Sequence, residues 1–477
     1  MNIMKLHILL ILSILLCETL SAQDKEISNY IEKVMNERNI PGVSIAVVQD
    51  QKITFMKSFG MANLETNSPV TNESVFQLAS LTKPFTALCV MKLVEQGKIN
   101  LQNPITSYID SLPEAYKKIT VNHLLTHTAG FPDQVNLIYD NSPVMNISTK
   151  KQLEIILNEP LLFPAGEGCS YADPGYFLLG MIIEEASGLK YKDYLKQKIF
   201  EPIGMELSLV EDRWAIIKNR VAPYRYVNKI INGRRDYQHE LPSHYGILST
   251  LADLAKWEIA LRDNRIVNSN SLEKMWTPAV LNNGDDAMTW GANYGYGWML
   301  GDVRGHKYAE HGGFTGTHDL HFINKNLSVI VLTNLDVMSN SDPRSIAHHI
   351  AGLVDSELAI PSPNSPDKAI ADSDIQKLIK FFSQELNNGS PDSLLTTQFS
   401  SFVKTLPPPV LERTGWKSFK ELKCIGMDEV ESKGLTKFGE KVKTIWHYQL
   451  IEGDNISSYA FYLTDEKKIA GITKWKE

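Results

Sequence analysis

The segment Gly42 to Val48 is apolar and β-branched, Gln49 to Lys52 turns it, and Ile53 to Phe59 resumes as a second strand. That is a hairpin signature. Ahead of it, Glu26 to Arg38 carries amphipathic helical spacing. From Leu81 to Gln96 the chain is apolar nearly all round, with Phe85, Leu88, Val90, Met91, Leu93 and Val94, and Gly97 closes it. A helix with so little polar face is predicted in the middle of a domain. Residues from about 100 to 260 show mostly helical periodicity broken by Pro- and Gly-rich turns, as in Gly180 to Ala186 and Leu251 to Leu261. Strands return at Gly297 to Leu300, His318 to Ile323 and Leu327 to Thr333, the last two joined by Asn324-Lys325-Asn326. Strand material at both ends with helices between predicts an α+β fold (an α/β sandwich). One antiparallel sheet, flanked by helices, collects strands from both chain ends around an inserted helical region.

Three prolines alternate with small polar residues in Pro361-Ser362-Pro363-Asn364-Ser365-Pro366-Asp367, a composition that reads as a linker. It separates a main unit over 23–360 from a second unit over 368–477. In the second unit, helical segments at Asp374 to Asn387 and Leu394 to Phe402 precede strand-like runs. These are Lys417 to Gly426, Val442 to Ile451, Ser457 to Leu463 and Lys468 to Lys474. Helices followed by a meander resemble the α+β cone of ketosteroid-isomerase-like domains, which can hold a ligand, mediate dimerisation or cover a surface.

Residues 1–22 read as an export signal: Lys5 and His7 precede an apolar run from Ile8 to Leu16, and Leu20-Ser21-Ala22 offers small residues for cleavage before Gln23. The run is shorter than the ~20 residues that span a bilayer, and no second stretch of membrane length follows. The expectation is an exported chain, periplasmic or secreted, with no integral membrane segment once the signal is removed. Of four cysteines Cys17 leaves with the signal, and Cys89, Cys169 and Cys424 cannot all pair within one chain. With 477 residues, 43% apolar and 22% charged, the composition is ordinary for a globular protein. A net charge of -7 provides no basic field for a polyanion, which excludes nucleic acid as a partner and favours a small, weakly charged substrate.

Three short elements carry candidate chemistry. Ser80-Leu81-Thr82-Lys83 opens the apolar helix, and helical spacing of three puts amine and hydroxyl on one face. The SxxK pattern occurs six times, starting at Ser80, Ser148, Ser187, Ser271, Ser365 and Ser401, so its context in front of the apolar helix distinguishes the first. Tyr171-Ala172-Asp173 lies between Phe163-Pro164-Ala165-Gly166 and Pro174-Gly175, turn formers that display a side chain on a loop. His311-Gly312-Gly313-Phe314-Thr315-Gly316 puts glycines at a strand end, where a backbone approaches a ligand closely.

In this order and separation the three elements resemble those of the serine β-lactamase and penicillin-binding-protein superfamily, in particular its class C β-lactamase-like branch with D,D-peptidases and esterases. The resemblance runs over roughly residues 27 to 358 and includes His123-Leu124-Leu125-Thr126-His127-Thr128-Ala129-Gly130, Tyr191 to Leu195, Ile199 to Met205 and Gly246 to Thr250. It implies a serine hydrolase of ester or amide (peptide-like) substrates, small-molecule or peptidoglycan-like, with no metal or organic cofactor. Ser80 matches the acylated nucleophile, Lys83 the lysine one turn on, and Tyr171 the tyrosine that exchanges protons with nucleophile and leaving group. His311-Gly312-Gly313 stands where many members have Lys-Thr-Gly. The backbone N–H groups of Ser80 and Phe314 would form the oxyanion hole, where one donor is worth ~3 kcal/mol. Asp173, His311, Gly313 and Phe314 are thereby expected at the substrate. A class C-type β-lactamase or D,D-carboxypeptidase is the alternative activity, and a non-catalytic binding protein on the same fold is the alternative of another class.

Activating a serine at neutral pH is the physical difficulty. A free lysine has a pKa of ~10.4, so holding Lys83 neutral at pH 7 requires a shift of ~3 units, ~4–5 kcal/mol. If Lys83 instead stays charged, its field favours a Tyr171 phenolate as the base. Asp173 departs from the family's usual asparagine: a carboxylate only accepts hydrogen bonds and favours a protonated Lys83. The expectation is therefore the phenolate version, with poor β-lactam hydrolysis and an affinity for a substrate amine. His123 and His127 are four apart but lack the glutamate of HExxH and a third ligand, so they read as structural. His318 and His321, three apart on a strand, face opposite sides.

Overall fold

The computed structural model describes residues 22–133 and 145–359, apart from 213, 234–236, 290–291 and 340, together with 395–397, 399–400, 421–429, 436–437, 440–452, 455–466 and 468–476. The export signal up to residue 21, the linker 361–367 and the helix expected at Asp374 to Asn387 lie outside the described residues.

A first helix α1 (22–38) leads into strands β1 (Gly42–Gln49), β2 (Lys52–Asn63) and β3 (Ser68–Pro69). The helical region contains α2 (Thr82–Glu95), α3 (Val121–Leu125), α4 (Asp173–Ser187) and α5 (Leu251–Arg262). Strands then resume as β4 (Met288–Thr289), β5 (Ala292–Tyr294), β6 (Met299–Val303), β7 (His306–Gly313), β8 (Thr317–Phe322) and β9 (Leu327–Thr333), before helix α6 (Pro343–Val354). All nine strands form one sheet in the order β4-β5-β6-β7-β8-β9-β1-β2-β3. The two sets of strands join at the antiparallel pair β1 and β9, in register from Val43 opposite Thr333 to Gln49 opposite Leu327. Strands from both chain ends thus meet inside the sheet, with the helical region inserted between them.

Alternation along these two strands divides the core. Ala46 and Val48 of β1, with Ile330 and Leu332 of β9, pack beneath α2, α4 and α5. Val43, Ile45 and Val47, with Val329 and Val331, pack against α1 and α6 on the opposite face. Because both faces are covered, the strands read as continuous apolar runs. Helix α2 buries eleven residues from Thr82 to Leu93, which agrees with its nearly all-round apolar sequence. Helix α4 starts with Pro174 just inside its N-terminus and ends at Gly188 with φ 72°, a conformation glycine adopts without the usual Cβ cost.

Strand β7 has no hydrophobic run that would signal it. Its sequence is His306-Lys307-Tyr308-Ala309-Glu310-His311-Gly312-Gly313, yet Glu310 and His311 are each 1% exposed. Buried polar partners stabilise it. Glu310 accepts from Arg344 Nε at 2.7 Å and faces His318 and His348 at 3.1 and 2.9 Å, all on the α6 side. His321 meets Glu258 of α5 at 2.7 Å, so His318 and His321 do face opposite sides.

In the C-terminal part, strands β10 (Glu421–Glu429), β11 (Thr444–Glu452), β12 (Asn455–Leu463) and β13 (Ile469–Lys476) make a four-stranded antiparallel meander. Of the run expected at Lys417 to Gly426, residues 417–420 lie outside the described residues. Of the stretch Leu394 to Phe402, helical backbone is described at 397, 399 and 400.

Candidate active site

Ser80 sits in a 3₁₀ turn, Ala79–Leu81, that runs directly into α2. Ala79 has φ 49°, a left-handed conformation uncommon outside glycine, so the turn is held by its surroundings. Those surroundings are the β7–β8 turn. Thr317 Oγ1 donates to the Leu78 carbonyl at 2.8 Å, and Thr315 Oγ1 donates to that of Gln77 at 2.5 Å. A Cβ on Gly313 would lie 2.0 Å from the Leu78 oxygen, so only glycine lets the end of β7 come this close. Phe314 follows immediately, and its N–H has no acceptor among the described residues.

Lys83, one helical turn beyond Ser80, is fully buried. Its Nζ has three oxygen neighbours: Asp173 Oδ1 at 2.7 Å, Ser80 Oγ at 3.0 Å and the His244 carbonyl at 3.1 Å. The loop that supplies His244 is fastened to α2, because Thr86 Oγ1 donates to the Ser243 carbonyl at 2.6 Å and Thr82 Oγ1 accepts from the Ile247 N–H at 3.0 Å. Asp173 and the His244 carbonyl can only accept, so they fix two N–H groups of the amine. The third position points at Ser80, where it is an N–H in the ammonium and a lone pair in the free amine.

Tyr171 precedes α4. Its ring centroid is 4.7 Å from Lys83 Nζ, which brings the buried phenol into the same cluster as Ser80 and Lys83. His127, after α3, aligns this tyrosine: the rings lie 4.4 Å apart, and Nδ1 accepts from the Ala172 N–H at 3.2 Å, which leaves the proton on Nε2. His123 does not join it. That residue closes a capping box with Thr120 at the start of α3, and His127 lies beyond the helix, so the pair never shares a helical face.

His311 lies behind Tyr171, with ring centroids 6.2 Å apart. A carbonyl accepts only, so the 2.8 Å contact from Nδ1 to Gly312 O puts the proton on Nδ1, and Nε2 accepts from the Tyr294 hydroxyl at 3.1 Å. Both ring nitrogens are thus used inside the protein, and the imidazole supports the wall of the site rather than presenting a donor to the cleft. Tyr294 and the His244 carbonyl had no sequence signal, since neither belongs to a periodic run or a recognisable spacing. Cys169, two residues before Tyr171, is a buried-type thiol pushed up to about 12 by desolvation, which leaves it unreactive.

Burial opposes charge on every group here, and one partner reverses it. Desolvation is the largest influence on Lys83 and would lower its pKa, but the Asp173 carboxylate, assisted by Tyr171, raises it overall. Asp173 is correspondingly lowered by Lys83 against its own burial. Tyr171 is raised by burial, and the field of Lys83 does not overcome this because Asp173 already offsets that charge. The resting site therefore holds an ammonium–carboxylate pair beside a neutral phenol, not the phenolate expected from sequence. Burial, the first cause in each case, makes the surrounding imidazoles neutral: His311 and His244 are lowered to about 3, His239 to about 4, and His127 well below its ordinary value.

Comparison with known proteins fits this arrangement. The Beta-lactamase family model matches residues 27–351. The chain belongs to that family. It is 30% identical to penicillin-binding protein 4* of Bacillus subtilis over 336 residues, covering 65% of this chain and 71% of that protein. Its fold is similar to the octameric penicillin-binding protein homologue of Pyrococcus abyssi, with TM-score 0.62 and 24% identity over 93% of this chain and 94% of that one. It is also similar to the D-amino acid amidase of Ochrobactrum anthropi SV3, with TM-score 0.60 and 22% identity over 70% of this chain and all (100%) of that one.

Proposed function

We propose that the protein is a serine hydrolase that forms an acyl-enzyme on Ser80 and acts on ester or amide substrates, with Lys83 and Tyr171 moving the protons. The observation that carries this reading is the approach of Lys83 Nζ to Ser80 Oγ at 3.0 Å while two pure acceptors hold the rest of the amine. Once Lys83 has lost its extra proton, its lone pair faces the serine hydroxyl. Ser80 Oγ then bonds to the substrate carbonyl carbon as its proton passes to Lys83. The carbonyl oxygen becomes an oxyanion at the N-terminus of α2, within reach of the Ser80 and Phe314 N–H groups, where the helix dipole also favours negative charge. Tyr171 gives its hydroxyl proton to the departing alcohol or amine and recovers one from Lys83. Water repeats the sequence on the acyl-enzyme and frees Ser80.

Because Lys83 must be unprotonated and Asp173 raises its pKa, kcat/KM is expected to climb with pH up to the titration of the Lys83 pair. The decisive experiment is labelling with a fluorescent alkylphosphonate, followed by hydrolysis of p-nitrophenyl butyrate. Both should occur in the native protein and vanish in Ser80→Ala. Absence of labelling at any pH between 6 and 10 would remove the reading. Export also belongs to this proposal: N-terminal sequencing of protein recovered outside the cytoplasm should begin near Gln23, and an intact Met1 would contradict it.

A further inference from the structure

Resting on the acyl-enzyme reading above, we infer that Asp173 selects acyl donors that carry a protonated amine beside the scissile carbonyl, because one of its oxygens holds Lys83 and the other is open to the cleft. Oδ1 binds Lys83 Nζ at 2.7 Å. Oδ2 has no partner among the described residues and is not sealed from solvent, since the side chain is 18% exposed beside a lysine that is 0% exposed. A carboxylate offers lone pairs and no donor, so the group completing its shell must be an N–H or O–H, and a cationic one binds best. The place of Asp173 in the first turn of α4 suits its charge, yet that leaves Oδ2 unfilled.

The groups facing the carboxylate supply no rival cation except Lys83. They are Tyr171 ahead of α4, His127 after α3, His239 at the end of the short strand Tyr237–His239, and His244 on the loop that follows it. These three imidazoles are neutral at pH 7, so an ammonium on the substrate meets one carboxylate and one lysine. Its arrival has a chemical consequence. Two cations cannot share one carboxylate as favourably as one does, so the buried lysine releases its proton to solvent water and becomes the free amine that takes the Ser80 proton. The substrate amine remains protonated on Asp173. An amine-bearing acyl donor therefore completes the activation of the site it enters, and a donor without one has to wait for a higher pH.

Three p-nitroanilides of one size class test this: alanine, N-acetylalanine and propionyl, assayed from pH 6 to 10 with the native protein and with Asp173→Asn. The native protein should prefer the alanine compound over the propionyl one in kcat/KM on the order of tenfold or more, the scale of one charge-assisted hydrogen bond. Its rate should also rise at a lower pH for the alanine compound. In Asp173→Asn the preference should collapse and the two profiles coincide whatever the variant's overall rate, because each comparison is a ratio of two substrates on one protein. Equal preference in native and variant proteins, with the native protein still labelled by the phosphonate, overturns this inference alone. Loss of labelling in the native protein overturns the hydrolase reading and this one with it.

Discussion

A lysine sealed from water sheds its proton unless a neighbour makes the charge worth keeping, and Lys83 has such a neighbour in Asp173. This single carboxylate also decides the state of Tyr171. With the ammonium already offset, little field remains to favour a buried phenolate, so the phenol keeps its proton, as the proposed relay requires. Replacing Tyr171 with Phe removes that relay but leaves the ring against His127. We expect kcat to fall by about 10²- to 10⁴-fold, the usual range for a positioned acid–base group, with Tm little changed. Steady-state hydrolysis and a thermal melt on the same sample check it, and a loss below tenfold would argue that Lys83 alone carries the proton to the leaving group. Ser80 and Lys83 were legible in sequence because three residues of helix bring them together. The Asp173 carboxylate could be seen to favour a charged lysine, but not that it lies 90 positions away in direct contact, nor that its second oxygen stays open.

At the scale of elements, the end of β7 brings the Phe314 N–H, the proposed oxyanion donor, to the Ser80 turn. Gly313 allows it, and the Cβ of Gly313→Ala would meet backbone oxygen rather than a flexible side chain. Either β7 or the Ser80 turn must move. Acylation should slow by roughly 10²- to 10³-fold, comparable to the loss of one oxyanion donor, as read from phosphonate labelling rates. A rate near that of the native protein would mean that Phe314 N–H is not used. A second element-level prediction concerns α5 on β8. Burial, then the neighbouring Glu258 carboxylate, raises Asp319 well above the ordinary range, so the fold holds this proton to a higher pH than the unfolded chain does. Unfolded, it ionises above pH ~4. The unfolded state therefore gains at Asp319 as pH rises, and the native protein loses that increment of stability between the two pKa values. Asp319→Asn removes the penalty. The Tm advantage of the variant should grow between pH 4 and 8 in circular dichroism melts, and a constant difference would count against a raised Asp319. The hydrophobic pattern revealed β1, β9 and α2 because apolar burial forms them. It missed β7 because β7 is held by Glu310, His311 and their distant polar partners, which no local period encodes.

Across the whole molecule, the candidate site and the C-terminal strands lie on different sides of the large sheet. The arrangement of the main unit was legible because strand-rich segments at both ends can satisfy their edges only by pairing with each other, as β1 and β9 do. The partner of the C-terminal meander was not, since an apolar strand face does not name what covers it. Val442, Ile445, Ala460 and Tyr462 share one buried cluster with Val303 and Tyr308 of the large sheet, on the α1 and α6 face. Ser80, Lys83 and Tyr171 stand on the other face, with α2 and α4. The C-terminal strands thus cover apolar surface that would otherwise meet water, and they do so away from the nucleophile. Ile445→Asp places a carboxylate in this cluster and should cost about 3 kcal/mol or more, because the charge must be buried unpaired or the two surfaces must part. The expected result is a Tm lowered by several degrees, with the rate of Ser80 phosphonate labelling below that Tm unchanged. A labelling rate that falls in step with Tm would instead mean that the C-terminal strands hold the active site in shape through the sheet, and that α2 depends on a surface it never touches.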